Sequence, residues 1–338
     1  MAPESLGLTL PHEHLFVDLR FLFRPPVAGS ALGHELEPVE LGNLYDVSYD
    51  WFSSLDNLQP DRRDRRRRGG AAVPAGRRPD PGRPTTVGHR ARPLALQRVS
   101  RATGLHVIMG SGYYTEPAHP PGLAAAARSA LAREIVRDVT EGVGDTGVRA
   151  GLIGEIGCSW PWTPAERKAP TGGCQRRAGN RRAAAMIHPG RDPAAPEAHL
   201  DEVRRAGLDP RRVVIAHIER TIVDDPRAAP GPSSTPAAHV EYDLFGVEIC
   251  ALRLRAGRRC RTTPSACGRS SGWWSRATAG RCCCRTTCAS KVRLSRYGGT
   301  GLAHIPRRIV PRLRQRGLSE PDIRALVVEN PARALTFV

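Results

Sequence analysis

"AAAMIHPGRDPAAPEAHLDEVRRAGLDPRRVVIAHIE", residues 183–219, holds one complete strand–helix–strand unit. AAAMIHPG (183–190) is a short apolar run closed by Pro-Gly. PEAHLDEVRRAG (196–207) has helical spacing and stops at Gly207. RRVVIAHIE (211–219) is a second apolar run, rich in β-branched residues. Two buried strands joined through a helix run parallel, because a crossover of this length is not a hairpin. The same alternation extends in both directions. LGLTLPHEHLFVDL (6–19), GLHVIMGSGYY (104–114), RAGLIGEIG (149–157) and HVEYDLFGVEI (239–249) read as further strands. LAAAARSALAREIVRDVTEG (123–142) reads as a helix with Leu131, Ile135 and Val139 on one face. Helices close the chain, and Asn330 is expected to cap the last of them, with Pro331 at its first position. Six strands are legible, and gaps for two more fall on two unusual basic windows. Eight βα units in 338 residues predict an α/β fold, a (β/α)8 barrel, as a single domain over 1–338.

The net charge of +18 first suggests nucleic acid, but its location argues otherwise. Residues 61–93 carry eleven Arg against three Asp, and residues 251–292 carry nine Arg and one Lys with no acid. Together they account for the whole excess. Neither window has helical or strand periodicity, and the Arg run at 65–68 has no interleaved aromatics, so no nucleic-acid partner is expected. The irregular basic segments 61–93 and 251–290 predict a barrel that is incomplete or distorted around strands two and eight. CCCRTTC (282–288) lacks the paired C-x-x-C spacing of a zinc or redox site. The start MAPESLG does not read as a secretory signal, and no apolar run approaches the ~18–20 residues that span a bilayer. No membrane partner and a cytoplasmic location are the expectation.

The residues able to do chemistry end different apolar strands, where barrel active sites lie. They are His12 and His14, Glu155 in GEIG, His188 in MIHPG and His217 in VIAHIE. On a strand, His12 and His14 share one face and Glu13 takes the other. Each histidine alone fits an ordinary hydrogen-bonded role. An acid inside LIGEIG is harder to place without a partner or a metal, because burying a lone charge is costly. Taken together, four imidazoles and a carboxylate point to a two-metal set, with Zn2+ as the suited ion.

These residues in this order, within GLTLPHEHLFVDL, GLIGEIG, IHPGRDPAAP, RRVVIAHIERT, EYDLFGVE and RLSRYGGTGLAHIPRRIV, resemble the phosphotriesterase family of the amidohydrolase superfamily. The resemblance implies a (β/α)8 barrel with two divalent metal ions, usually zinc. It implies His12 and His14 on one metal, His188 and His217 on the other, and Glu155 between them. It implies a bridging hydroxide that attacks a phosphotriester, a lactone or ester, or an amide of a small-molecule substrate. Tyr113, Tyr114 and Arg191 are candidates for substrate contact. Relatives often pair through barrel helices, which leaves a homodimer open.

The family also carries an Asp at the end of strand eight, just before RLSRYGG. Here that place falls near Thr286 and Thr287, and no acid occurs between Glu248 and Glu320. A displaced reading frame in GC-rich DNA accounts for both this gap and the arginines. Codons compatible with Cys282–Ala289, shifted by two bases, encode Leu-Leu-Ser-His-Asp-Val-Cys. Segments 169–182 and 229–238 look like shorter displacements, the alternative being genuine insertions. Two readings therefore stand: a metal-dependent hydrolase, and a catalytically impaired product of a corrupted frame that lacks the strand-eight Asp.

Overall fold

The computed structural model describes residues 3–26, 33–60, 80–86, 92–168, 183–221, 238–247, 280–284 and 286–337. Its centre is one sheet of eight strands in sequential order, every neighbouring pair parallel. The strands are β1 (Thr9–Leu10), β2 (Asp80–Arg83), β3 (Ile108–Ser111), β4 (Leu152–Gly157), β5 (Ala184–His188), β6 (Val213–Ile215), β7 (His239–Tyr242) and β8 (Cys282–Cys284). The described helices include α1 (Leu44–Tyr49), α2 (Pro93–Thr103), α3 (Arg128–Thr140), α4 (Ala195–Arg205) and α5 (Ile218–Thr221). Toward the C-terminus follow α6 (Val310–Gln315), α7 (Glu320–Arg324) and α8 (Asn330–Leu335). This is a (β/α)8 barrel.

Strand alternation builds two core layers. Ala184, Met186, Val214 and Ala216 pack with Leu6, Ile108 and Leu152 inside the barrel. Their neighbours Ala185, Ile187, Val213 and Ile215 pack outward against Leu131 and Ile135 of α3, Leu200 and Val203 of α4, and Leu313 of α6. Each fully buried Val, Leu or Ile contributes about 1.5–3 kcal/mol of transfer free energy. The inward positions continue past the apolar layer, and there the polar residues begin: Glu155 on β4, His188 on β5, Glu241 and Asp243 on and after β7. The register of β4 against β5 shifts between Ile153 and Ile156. Gly154 supplies that irregularity with φ +123°, and a Cβ there would run into the carbonyl oxygen of Met186.

Both basic windows contribute a strand. Asp80–Arg83 pairs with β1 and β3, and Cys282–Cys284 pairs with β7. Among the described residues, the distortion expected around strands two and eight falls at the meeting of the first and last strands. Among the described residues β8 and β1 share no ladder hydrogen bonds, so the barrel is nearly closed with an unsealed seam. Residues 61–79, 169–182, 229–237 and 248–279 lie outside the described residues.

Three local expectations are corrected. β1 covers only Thr9–Leu10, because Pro11 has no N–H for the ladder; His12 and His14 lie just beyond it. The Glu13 N–H still donates to the Gly82 carbonyl at 2.9 Å, which carries the chain on beside β2. The helix read from residue 123 begins at Arg128, because Ala127 is extended at ψ 137°. Asn330 is not a cap: it is helical at φ −64° and buried, and its amide donates to the Cys282 carbonyl at 2.7 Å. That bond pins α8 to β8. No helix among the described residues is long and apolar enough to cross a membrane.

Candidate metal centre

Glu155 stands at the middle of the C-terminal end of the barrel, 2% exposed. Its Oε2 lies 3.2 Å from His12 Nε2 and 3.8 Å from His14 Nε2. Its Oε1 lies 2.9 Å from His217 Nε2 and touches His188 Nδ1. His217 Nε2 and His188 Nδ1 are 3.0 Å apart. The five residues singled out for metal binding, His12, His14, Glu155, His188 and His217, thus converge on one carboxylate from β1, β4, β5 and β6.

The outer nitrogens of these rings are held as well. His12 Nδ1 faces Asp243 Oδ2 at 3.1 Å and Glu241 Oε2 at 3.3 Å. His217 Nδ1 faces Asp243 Oδ1 at 2.6 Å, and the His217 N–H donates to Asp243 Oδ2 at 3.2 Å. His14 Nδ1 pairs with Thr85 Oγ1 at 2.8 Å. A carboxylate accepting the Nδ1 proton leaves the Nε2 lone pair aimed inward, the arrangement that orients metal-ligating histidines. His217 achieves its orientation with φ 53°, a conformation that is rare for a residue with a side chain. His188 is turned the other way: Nδ1 points inward, and Nε2 lies 2.6 Å from Arg220 Nη2.

Charge is distributed unevenly. Burial pushes the Glu155 carboxyl up, but the His12 and His188 imidazoles outweigh it and hold it well below the usual range. Burial likewise opposes ionisation of Asp243, and His217 and His12 reverse that outcome. Glu219, buried beside it, is driven well above the usual range by burial and then by the Asp243 charge, so one acid is ionised and its neighbour neutral. Burial, followed by the Arg220 charge, keeps His188 neutral.

The residues fit a divalent cation. His12 Nε2 is buried without a hydrogen bond among the described residues, although Glu155 is close. Three donor sets each fall within 4.8 Å: His12, His14 and Glu155; His12, His217 and Asp243; Glu155, His188 and His217. Imidazole nitrogen with carboxylate oxygen is a donor chemistry that suits Zn2+.

The remaining candidates divide. The Tyr114 hydroxyl lies 3.0 Å from both ring nitrogens of His188. Arg191 is half-buried in the turn after β5. The Tyr113 hydroxyl instead donates to Glu134 on α3 at 2.7 Å, away from the cluster. Thr286 and Thr287 are buried just past β8 and bring no carboxylate: one hydroxyl donates to Glu13, the other to the Asp243 carbonyl at 2.9 Å. Sequence reasoning missed Asp243, Glu241 and Arg220. The signal was present in HVEYDLFG, where acids two apart on one strand must share a face.

The model of the phosphotriesterase family matches residues 83–335. N-acetyltaurine hydrolase of Tetraodon nigroviridis is 31% identical, the match covering 99% of this chain and 95% of that protein. The Homo sapiens N-acetyltaurine hydrolase is 30% identical over the same shares. A resiniferatoxin-binding protein from Rhodobacter sphaeroides superposes with a TM-score of 0.88 at 29% identity, covering 99% of this chain and 92% of that one. A lactonase from Listeria monocytogenes shares the fold, with a TM-score of 0.72 at 18% identity over 100% and 97% of the two chains.

Proposed function

Because the chain belongs to the phosphotriesterase family, we propose that it is a hydrolase that uses two divalent cations, zinc first among them, to cleave an amide bond. The observation that carries the reading is Glu155, whose two carboxylate oxygens face His12 and His14 on one side and His188 and His217 on the other. Cations held there supply Lewis acidity and an activated water. The chain's own groups do the rest. Asp243 faces Nδ1 of both His12 and His217, an arrangement that would turn the Nε2 lone pair of each ring toward a cation beside Glu155. Burial of the whole cluster excludes bulk water, which strengthens every electrostatic contact within it. An amide is preferred to a lactone or phosphotriester because the N-acetyltaurine hydrolases match along 95% of their length at about one-third identity.

A second reading, the impaired product of a corrupted frame, is favoured by one observation: Thr286 and Thr287 stand where relatives are expected to carry an Asp. One experiment separates the two. The protein is reconstituted with zinc, its metal content is measured, and it is assayed on N-acetyltaurine, a γ-lactone and a phosphotriester. Two metals per chain with amide turnover support the hydrolase. A folded protein that retains no metal and turns over none of the three supports the impaired product, and resequencing the codons for residues 250–295 then tests the frame.

A further inference from the structure

The His188 flank of the cluster carries a charge that amide cleavage alone does not use. Arg220 lies on α5, three residues beyond His217, and is 7% exposed. Its Nη2 donates to the Pro189 carbonyl at 3.1 Å and lies 2.6 Å from Nε2 of the neutral His188 ring. Its Nε has no partner, and it makes no ion pair among the described residues. This differs from the surface arginines: Arg204, Arg205 and Arg211 each pair with a carboxylate. A buried guanidinium facing only neutral groups is expensive to maintain. Beside it lies the Tyr114 hydroxyl, 3.0 Å from His188, a phenol O–H able to donate. Arg191, half-buried, follows three residues beyond His188 in the turn after β5. A guanidinium and a phenol thus meet at the outer side of His188, and Glu155, the acid that His188 touches, is already engaged by imidazoles.

We infer that Arg220, assisted by Tyr114 and Arg191, binds an anionic group of the substrate, so that the chain selects acyl amides bearing a sulfonate or carboxylate over neutral amides and lactones. A planar guanidinium fork matches two oxygens of such a group, and that pairing is stronger than a hydrogen bond between neutral partners. The inference rests on the hydrolase reading for where the scissile bond sits, and stands apart from it for the binding of the anion.

The test compares N-acetyltaurine with its neutral methyl sulfone isostere in wild type, Arg220→Met and Arg220→Lys, all zinc-reconstituted. The expected wild-type preference for the anion in kcat/KM is about 100-fold or more, because the neutral analogue keeps two sulfonyl acceptors but leaves the buried guanidinium without a countercharge. In Arg220→Met that preference collapses to within about threefold, through KM for the anion, and Arg220→Lys restores part of it. An equal fall for both substrates, carried in kcat, would overturn the inference and leave Arg220 as a positioning residue acting through His188. Calorimetric titration with ethanesulfonate gives a readout without turnover. Binding in wild type that is lost in Arg220→Met sustains the inference even if no substrate is cleaved, in which case the hydrolase reading fails alone. Equal binding, or no binding, in both proteins overturns the inference whatever the turnover. Arg220→Gln, which keeps a donor for Pro189, replaces the Met variant if the latter does not fold, and is read by the same outcomes.

Discussion

Asp243 is the residue on which two imidazoles depend at once. Its two oxygens lie 3.1 Å from His12 Nδ1 and 2.6 Å from His217 Nδ1, so one side chain orients a ring from each half of the centre. Asparagine keeps the shape but offers one acceptor and no charge. Asp243→Asn is therefore expected to lower zinc affinity about 10- to 100-fold while the far-UV spectrum is unchanged. Competition with a chelator of known affinity measures this, and an affinity equal to wild type would remove Asp243 from the centre. The contrast with Glu155 shows how far single residues were legible. Glu155 stood out because an acid between Ile153-Gly154 and Ile156-Gly157 has no local reason to be buried. Asp243 carried the same signal, yet it sits in EYD beside another acid and reads equally well as the polar end of a strand. Arg220 gave no signal, since an arginine five residues past the end of β6 is ordinarily solvated.

Glu13 does at the scale of elements what the ladder does elsewhere. It faces away from its neighbours His12 and His14, toward β8, where it accepts from the Thr286 hydroxyl and, at 3.0 Å, from the Cys288 N–H. These bonds cross the seam that β1 and β8 leave unsealed. Glu13→Ala strips two buried donors of a charged acceptor and is expected to cost about 3 kcal/mol in urea denaturation. A loss below about 1 kcal/mol would show that the seam is held by packing alone. A second element-scale effect concerns α4. His199 stacks on Trp162 at 4.3 Å with Trp160 at its edge, and burial lowers its pKa to about 3. Its unfolded value is 6.5, so below that pH the unfolded chain takes up a proton that the folded chain refuses until about pH 3. The folded state keeps this contribution in full above pH 6.5 and loses up to about 1.4 kcal/mol per pH unit as pH falls from there. His199→Phe should flatten the urea midpoint between pH 6.5 and 4; parallel loss in both proteins would exclude His199 as the source. The elements differ in how well they could be read. Val213–Ile215 and Leu152–Gly157 declare themselves by β-branched and apolar runs. DPGR and CCC, which form β2 and β8, have no such pattern, and their place is set by the strands on either side. Gly82 suits this imposed role, since a Cβ there would overlap the Pro11 backbone.

Over the whole molecule, the charge and the chemistry separate. The excess of +18 lies in two windows, and only the strands Asp80–Arg83 and Cys282–Cys284 with their flanking residues bring those windows into the described barrel. The centre draws on the ends of β1, β4, β5, β6 and β7, which makes it a cross-link between the first strand and the middle of the sheet. Such a cross-link has its largest mechanical consequence in a barrel whose first and last strands are not hydrogen-bonded. A cation bound to the folded chain and not to the unfolded one stabilises it by RT ln(1 + [L]/Kd), about 2.7 kcal/mol when zinc is at 100 times its dissociation constant. For a chain of this size that corresponds to a rise of roughly 4 °C in the thermal midpoint. Stripping the protein with a chelator should reverse the rise, and zinc readdition should restore it. Glu155→Gln, which removes the charge shared by both halves of the centre, should melt near the stripped wild type with or without zinc. If wild type melts at the same temperature in zinc and in chelator, the cluster of His12, His14, Glu155, His188 and His217 holds no cation, and the proposed hydrolase falls with it.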